Sequence, residues 1–144
     1  DPLHCARALT DINIARLRAS RPGGTWRDWP EDLRAPCHRR VTGSSFQAFY
    51  GRMEWDKPSP TITTQFFNPG TGRFGHPEQD RTITLREAAM LQGFPRGYRF
   101  LPPGGQPAQK VVGRLIGNAV PPPFGRAVGR ELARTTKNGE RRTQ

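Results

Sequence analysis

Three glycines in the middle of the chain have a spacing that is known from nucleotide chemistry. Gly70, Gly72 and Gly75 follow the pattern G-x-G-x-x-G of loops that bind the phosphates of a dinucleotide. That fingerprint requires a strand before the glycines and a helix directly after them. The preceding "PTITTQFF" is typical of a strand, but His76 and Pro77 follow the loop without helical periodicity. We therefore expect a glycine-rich loop with a role other than holding a dinucleotide.

The cysteines and their neighbouring histidines raise the question of a metal site or a nucleophile. His4 adjoins Cys5, and Cys37 adjoins His38, whereas structural zinc sites usually separate paired ligands by two to four residues. No motif supplies an orienting base for Cys37, and the arginines that follow it are equally suited to phosphate. The sequence thus predicts no metal site and no catalytic residue, only small thiols and ordinary histidines.

A group of short polar side chains is a candidate for contact with nucleic acid. Thr61, Thr63 and Thr64 follow one another along a predicted strand, and Arg52 and Arg73 flank them. Hydroxyl groups, backbone amides and arginines commonly contact phosphates, and a two-stranded ribbon fits the major groove of DNA. The alternative is a surface hairpin whose threonines only favour β structure, and the residues alone leave both interpretations open.

The stretch "RLIGNAVPPPF" (114–124) predicts a helix that stops at Gly117 and a turn that exposes Asn118, Ala119 and Val120. Three prolines then begin the next helix. Backbone amides beside a helix start suit a carboxylate or another polar ligand group. The alternative interpretation is a plain corner between two helices.

The remaining pattern predicts the elements that position these residues. Thr84 and Glu87 form the sequence signature of a capping box, and Gly93 marks the end of the same helix. The predicted order is a helix over 9–20, strands over 46–55 and 60–67, helices over 84–94, 108–116 and 121–134, and a disordered basic tail over 135–144.

Composition favours a polyanionic partner. The net charge is +11, and 20 of the 23 basic residues are arginine, the better residue for bidentate contact with phosphate or guanine. A codon bias toward arginine is the alternative explanation. Two cysteines favour a reducing, intracellular setting, and no apolar run approaches the ~20 residues of a membrane span.

Several blocks together resemble the C-terminal part of the bacterial DNA cytosine-5 methyltransferases. "RTITLREAAMLQGFPRGYRF" (81–100) is similar to the penultimate conserved block of that family, and "LIGNAVPPP" (115–123) is similar to its last block. The stretch over 50–80 resembles the target-recognition region, and the stretch over 4–30 resembles the helix and loop before it.

The resemblance implies a fold, a cofactor and partners. The fold class expected is α+β: a small β-rich recognition region (1–80) that faces double-stranded DNA, and helices (81–134) that belong to a doubly wound lobe. That lobe binds S-adenosylmethionine, and Asn118, Ala119 and Val120 would complete its pocket. Thr61 and Ile62 would match the threonine-aliphatic pair with which the recognition region meets DNA near the target base, and Arg73 and His76 would contact a groove or phosphates.

The resemblance also implies that the catalytic parts are elsewhere. The family supplies a thiol from a Pro-Cys motif and an acid from a Glu-Asn motif, both upstream of the recognition region, and neither appears here. Pro36-Cys37 is the wrong cysteine, because it lies inside that region. We therefore expect an inactive C-terminal fragment of a bacterial cytoplasmic, nucleoid-associated enzyme of the restriction-modification type, whose N-terminal catalytic lobe is part of the same protein or a separate chain. The alternative is a free-standing DNA-binding module or a decayed remnant.

Overall fold

The structure is a computed structural model that describes residues 1–40 and 49–142, with the side chains of residues up to 136. Its helices are α1 (Asp11–Ala19), α2 (Leu85–Leu91), α3 (Gln109–Asn118) and α4 (Pro122–Arg142). Short 3-10 turns are formed by Trp26–Asp28, Glu31–Leu33, Pro36–Arg39 and Pro69–Thr71. None of the helices in this part of the chain combines the length and apolar character that spanning a bilayer requires.

The two predicted strands are absent from the described residues, so the expectation of a β-rich recognition region is wrong for them. Residues 46–48 lie outside the described part, and 49–55 and 60–67 form turns and irregular structure. Phe66 and Phe67 are both buried, which breaks the alternation of a half-buried strand. The backbone pairing consists of isolated bridges: Pro22 with Arg52, Arg52 with Gly75, and Gly75 with Thr82.

The hydrophobic core lies where α2 and α3 pack on the loop residues that precede α2. Phe66, Phe74, Ile83, Val112 and Ile116 are each at most 3% exposed. The core therefore comes from aromatic loop residues and from one face of each helix. Burying these large apolar side chains is favourable, and this holds the loops in one path over the core.

The start of α2 follows the sequence prediction closely. The Thr84 side chain accepts a hydrogen bond from the Glu87 amide at 3.1 Å, and the Glu87 carboxylate accepts one from the Thr84 amide at 2.7 Å. Arg81 also donates to both Glu87 oxygens, at 2.7 and 2.8 Å. Burial alone would raise the pKa of Glu87, but the hydrogen bonds from Arg81 and Thr84 lower it to about 2.

The C-terminal helix is longer than the sequence predicts. It was expected to end at residue 134 and to be followed by a disordered tail, but α4 continues to Arg142 and so includes eight of the ten residues assigned to that tail. Residues 143 and 144 lie outside the described part. Phe124, Val128 and Leu132, the predicted apolar face, are 63%, 44% and 64% exposed. The apolar stripe of α4 therefore lies open to solvent.

Candidate functional site

The three candidate threonines lie at the surface of one short segment. Thr61 and Thr63 are exposed and Thr64 is half-buried, while Ile62 between them is only 4% exposed. Ile62 belongs to the hydrophobic core and anchors the segment. Because Ile62 is fixed in the core, the threonines on either side of it are held in place with their hydroxyl groups at the surface.

Two glycines of α3 bring that segment against the predicted ligand-binding corner. A Cβ atom on Gly117 would lie 2.5 Å from the backbone of Thr63 and Thr64, and one on Gly113 would lie 2.5 Å from the Phe67 ring. Real Cβ atoms do not approach so closely, so only glycine permits this packing. Because Asn118 follows Gly117 directly, the threonine segment and the corner are neighbours in space.

The corner at 118–120 differs in detail from the prediction. The helix runs through Gly117 and ends at Asn118, and the Ala119 amide donates to the Ile116 carbonyl at 3.2 Å. Gln92, which caps the C-terminal end of α2, holds the corner from the other side, since its side-chain amide donates to the Ala119 carbonyl at 2.7 Å. Asn118 is exposed and Val120 is 64% exposed, so the corner is an open wall and not an enclosed pocket.

The start of α4 also offers fewer amide donors than the sequence led us to expect. Pro122 and Pro123 have no backbone N–H, and the Gly125 amide donates to the Pro121 carbonyl. The exposed groups at this corner that could contact a ligand include the Asn118 side chain and the apolar surface of Val120.

Arg52 does not fit its predicted role as a phosphate contact. The residue is 4% exposed, and its guanidinium donates to backbone carbonyls and to Asp80 at 2.5 Å. The carbonyls are those of Leu17, Ser20, His76 and Gln79, at 2.6–3.0 Å. Hydrogen bonds from Arg18 and then Arg52 lower the pKa of Asp80. Arg52 therefore ties the end of α1 to the loop at 76–80.

His76 is likewise a structural residue in this geometry. It is 6% exposed, and its Nδ1 accepts hydrogen bonds from the amides of Glu78 and Gln79 at 3.1 and 3.0 Å. The Trp55 ring lies edge-on to it, with centroids 5.4 Å apart. Burial, followed by the positive charge of Arg81, lowers the pKa of His76. A buried neutral ring with its Nδ1 already occupied is a poor phosphate contact.

Arg73 is the predicted arginine that does remain at the surface. Its side chain is exposed, and the stem of that side chain lies against the backbone of Gly51. No carboxylate of the described residues lies within 4.0 Å of its guanidinium. Arg73 therefore has the exposure that a phosphate contact requires.

The glycine loop serves packing. A Cβ atom on Gly72 would lie 2.5 Å from the Phe74 ring, and one on Gly75 would lie 2.8 Å from the Leu17 side chain. A 3-10 turn, Pro69–Thr71, begins within the loop, and no helix opens after it. These glycines therefore let the loop lie tightly on the core.

Both cysteines are free thiols. Cys5 is half-buried and Cys37 is exposed. In the described part of the chain, no three His, Cys, Asp or Glu side chains gather in a group that could hold a metal ion.

Comparison with known proteins assigns the chain to a family. The model of the C-5 cytosine-specific DNA methylases matches residues 9–134, which is most of the chain. The chain belongs to that family. Members of the C-5 cytosine-specific DNA methylases are enzymes, DNA (cytosine-5)-methyltransferases, and the resemblance drawn from the sequence blocks is confirmed at this level.

Individual relatives agree with this family membership. The chain is 58% identical to the Type II methylase M.HgiDII of Herpetosiphon aurantiacus over 134 residues, which cover 93% of the chain and 38% of that protein. It is 37% identical to DNA (cytosine-5)-methyltransferase 1A of Oryza sativa subsp. japonica, over 90% of the chain and 9% of that protein. It is 45% identical to the Type II methyltransferase M1.BsuMI of Bacillus subtilis (strain 168), over 64% of the chain and 20% of that protein. The chain thus spans well under half the length of these methylases.

Proposed function

We propose that this chain is the C-terminal portion of a bacterial DNA (cytosine-5)-methyltransferase that reads double-stranded DNA and forms one wall of the S-adenosylmethionine pocket. Residues 1–80 form the DNA-facing region, and residues 81–134 return to the catalytic lobe. The thiol and the acid of the reaction belong to upstream residues, so the fragment alone is inactive. The enzyme acts on chromosomal DNA in the cytoplasm, as one half of a restriction-modification pair.

One observation carries this proposal: α3 joins the threonine segment to the 118–120 corner. Gly117 packs on the backbone of Thr63 and Thr64, so a DNA contact at the threonines and a cofactor contact at Asn118 share one continuous surface. A methyltransferase must hold its target base and its methyl donor side by side. This arrangement supports a role in both contacts.

The exposed apolar residues next to this surface support a missing lobe. Leu115 and Val120 are 54% and 64% exposed, and the stripe of α4 continues from them along the chain. Large exposed apolar patches are typical of surfaces that bind another protein surface. An upstream catalytic lobe is the occupant that we propose, since the chain covers only 38% of the Herpetosiphon methylase.

The residues at the corner fit a cofactor wall in their chemistry. Asn118 offers a carboxamide, which can both donate and accept hydrogen bonds, and Val120 offers an apolar surface. S-adenosylmethionine, when bound, would supply the methyl group. The chain's own residues would hold and orient it, while Thr61, Thr63, Thr64 and Arg73 hold the DNA.

A fusion of this chain to an upstream catalytic portion, called here the joined protein, allows the proposed cofactor contact and the proposed DNA contact to be tested separately. The chain would be fused to the upstream portion of the Herpetosiphon methylase, and the affinities for S-adenosylmethionine and for a DNA duplex would be measured separately. We expect Asn118→Ala to weaken cofactor binding about tenfold and to leave DNA binding unchanged, and Arg73→Gln to do the reverse. Arg130→Gln, at an exposed position of α4 away from its apolar stripe, is the control. Loss of neither affinity in these variants would refute the assignment.

A further inference from the structure

Two surface grooves meet on either side of Arg73. One, of about 390 Å³, is lined by residues 52–54, 57–60 and Arg73 together with Gly23. The other, of about 500 Å³, is lined by residues 23–25, Arg73, Arg21, Arg27 and Asp28. Gly23 and Arg73 line both grooves. The loop after α1 and the segment before Thr61 thus share one surface with Arg73 at its centre.

The basic side chains of this surface are accessible. Lys57 is exposed, and among the described residues no carboxylate lies within 4.0 Å of its ammonium group. The Arg21 side chain is 79% exposed and has only a long ion pair, 3.6 Å, with Asp28. The Asp28 carboxylate also accepts a hydrogen bond from the Thr25 amide at 2.9 Å. The Asp28 carboxylate is therefore occupied in holding its own loop.

The loop that presents Arg21 has a fixed path. Gly23 has φ 72°, and a Cβ atom there would lie 2.5 Å from the Glu54 carboxylate. Pro22 forms a bridge with Arg52, whose guanidinium is itself buried among backbone carbonyls. The surface is therefore largely formed before any ligand binds, which reduces the entropy that binding would cost.

We propose that Arg21, Lys57 and Arg73 form a three-point clamp for the phosphate backbone of duplex DNA. Exposed basic side chains on a preformed surface supply affinity and register without reading bases. Pro60, in the wall of the first groove, directly precedes Thr61. The same duplex would therefore run from the clamp to the threonine segment. The clamp rests on the proposed function, since it assigns the backbone contacts of the same DNA.

Salt dependence of duplex binding by the joined protein, in which the upstream portion of the Herpetosiphon methylase is fused to this chain, tests the clamp. Each phosphate contact adds about 0.9 to the slope of log affinity against log salt. We expect Arg21→Gln and Lys57→Gln each to flatten the slope by about one unit and to weaken binding several-fold at 0.1 M salt, and the double variant to flatten it by about two. The matched control is Arg130→Gln on α4, where Arg130 is exposed and lines neither groove. Unchanged melting temperatures would show that the variants are folded.

The outcomes separate the clamp from the proposed function. If the parent joined protein binds duplex DNA with a steep slope and Arg73→Gln alone flattens it, the clamp is refuted and the DNA-reading role stands. If the parent joined protein is folded and shows no salt-dependent binding of duplex DNA, the DNA-reading role itself fails. Tighter binding to an RNA duplex, lost in the same variants, would overturn the assignment to DNA.

Discussion

Two arginines that have the same predicted role in the sequence differ in burial in the structure. Arg52 and Arg73 both flank the threonine segment, and either could contact phosphate by type and position. Arg52 is buried with its donors used by carbonyls and Asp80, whereas Arg73 lies in the open. The partners of Arg52 come from residues 17–20 and 76–80, which are far apart in the chain. Such an arrangement has no local signal, and so the sequence could not reveal it.

Replacing Arg52 tests this structural role. Arg52→Gln leaves several carbonyls and part of Asp80 without partners, and we expect it to lower the free energy of unfolding by about 2–4 kcal/mol. Arg18→Gln is the matched control, because Arg18 binds the same Asp80 from a position with a 69% exposed side chain. That change should cost about 0.5 kcal/mol. Denaturant unfolding of both variants makes the comparison, and equal losses would contradict the assigned role.

Acid should weaken the fold through Glu87. Its pKa falls from 4.5 to about 2 on folding, so the ionised pair with Arg81 stabilises the protein above pH 4.5. That contribution, on the order of 1–2 kcal/mol once solvent screening at this half-buried site is taken into account, is lost as the pH falls toward 2. The lowered pKa of Asp80 acts in the same direction.

Glu87→Gln should therefore be less stable at pH 7 and should show a smaller loss of stability between pH 5 and pH 2. Glu131→Gln, which alters an exposed pair on α4, should leave the pH dependence unchanged. Denaturant unfolding across this pH range measures both, and parallel curves for the parent and Glu87→Gln would count against the assignment.

At the scale of elements, α3 sets the position of the threonine segment. A methyl group at Gly117 would meet the backbone of Thr63 and Thr64, which cannot move aside as a side chain can. We expect Gly117→Ala to cost about 1–3 kcal/mol and to weaken DNA binding by displacing the threonines. Gly125→Ala meets nothing within 4 Å and should instead stabilise α4 slightly. A neutral Gly117→Ala would contradict this packing.

The elements that the sequence predicted well are those fixed by local chemistry. The capping box of α2 depends on Thr84 and Glu87 alone, and the helix begins where that pair places it. The strands over 46–55 and 60–67 failed because β-branched and aromatic residues also pack well in loops. The segment at 60–67 instead turns to bury two consecutive phenylalanines. At the candidate site, the Asn118 corner was foreseen, while its contact with Thr63 and Thr64 depends on tertiary packing.

The molecule exposes several large apolar side chains that its own core does not bury. Leu115, Val120, Phe124 and Leu132 are each at least 54% exposed. Without a covering lobe, the isolated chain should be marginally stable or should self-associate. Leu115→Ser combined with Phe124→Ser should shift it toward the monomer, whereas Ile12→Ser on α1 should not. Sedimentation at several concentrations measures this, and a cooperative, high-melting monomer of the parent chain would argue against a missing lobe.

The most direct test of the central claim is transfer of a labelled methyl group from S-adenosylmethionine to unmodified DNA. The chain alone would be compared with the chain fused to the upstream portion of the Herpetosiphon methylase, which shares 58% identity over the matched region. We predict no transfer by the chain alone and transfer to cytosine by the fused protein. Transfer by the chain alone, or a folded, DNA-binding fusion that transfers nothing, would contradict the account.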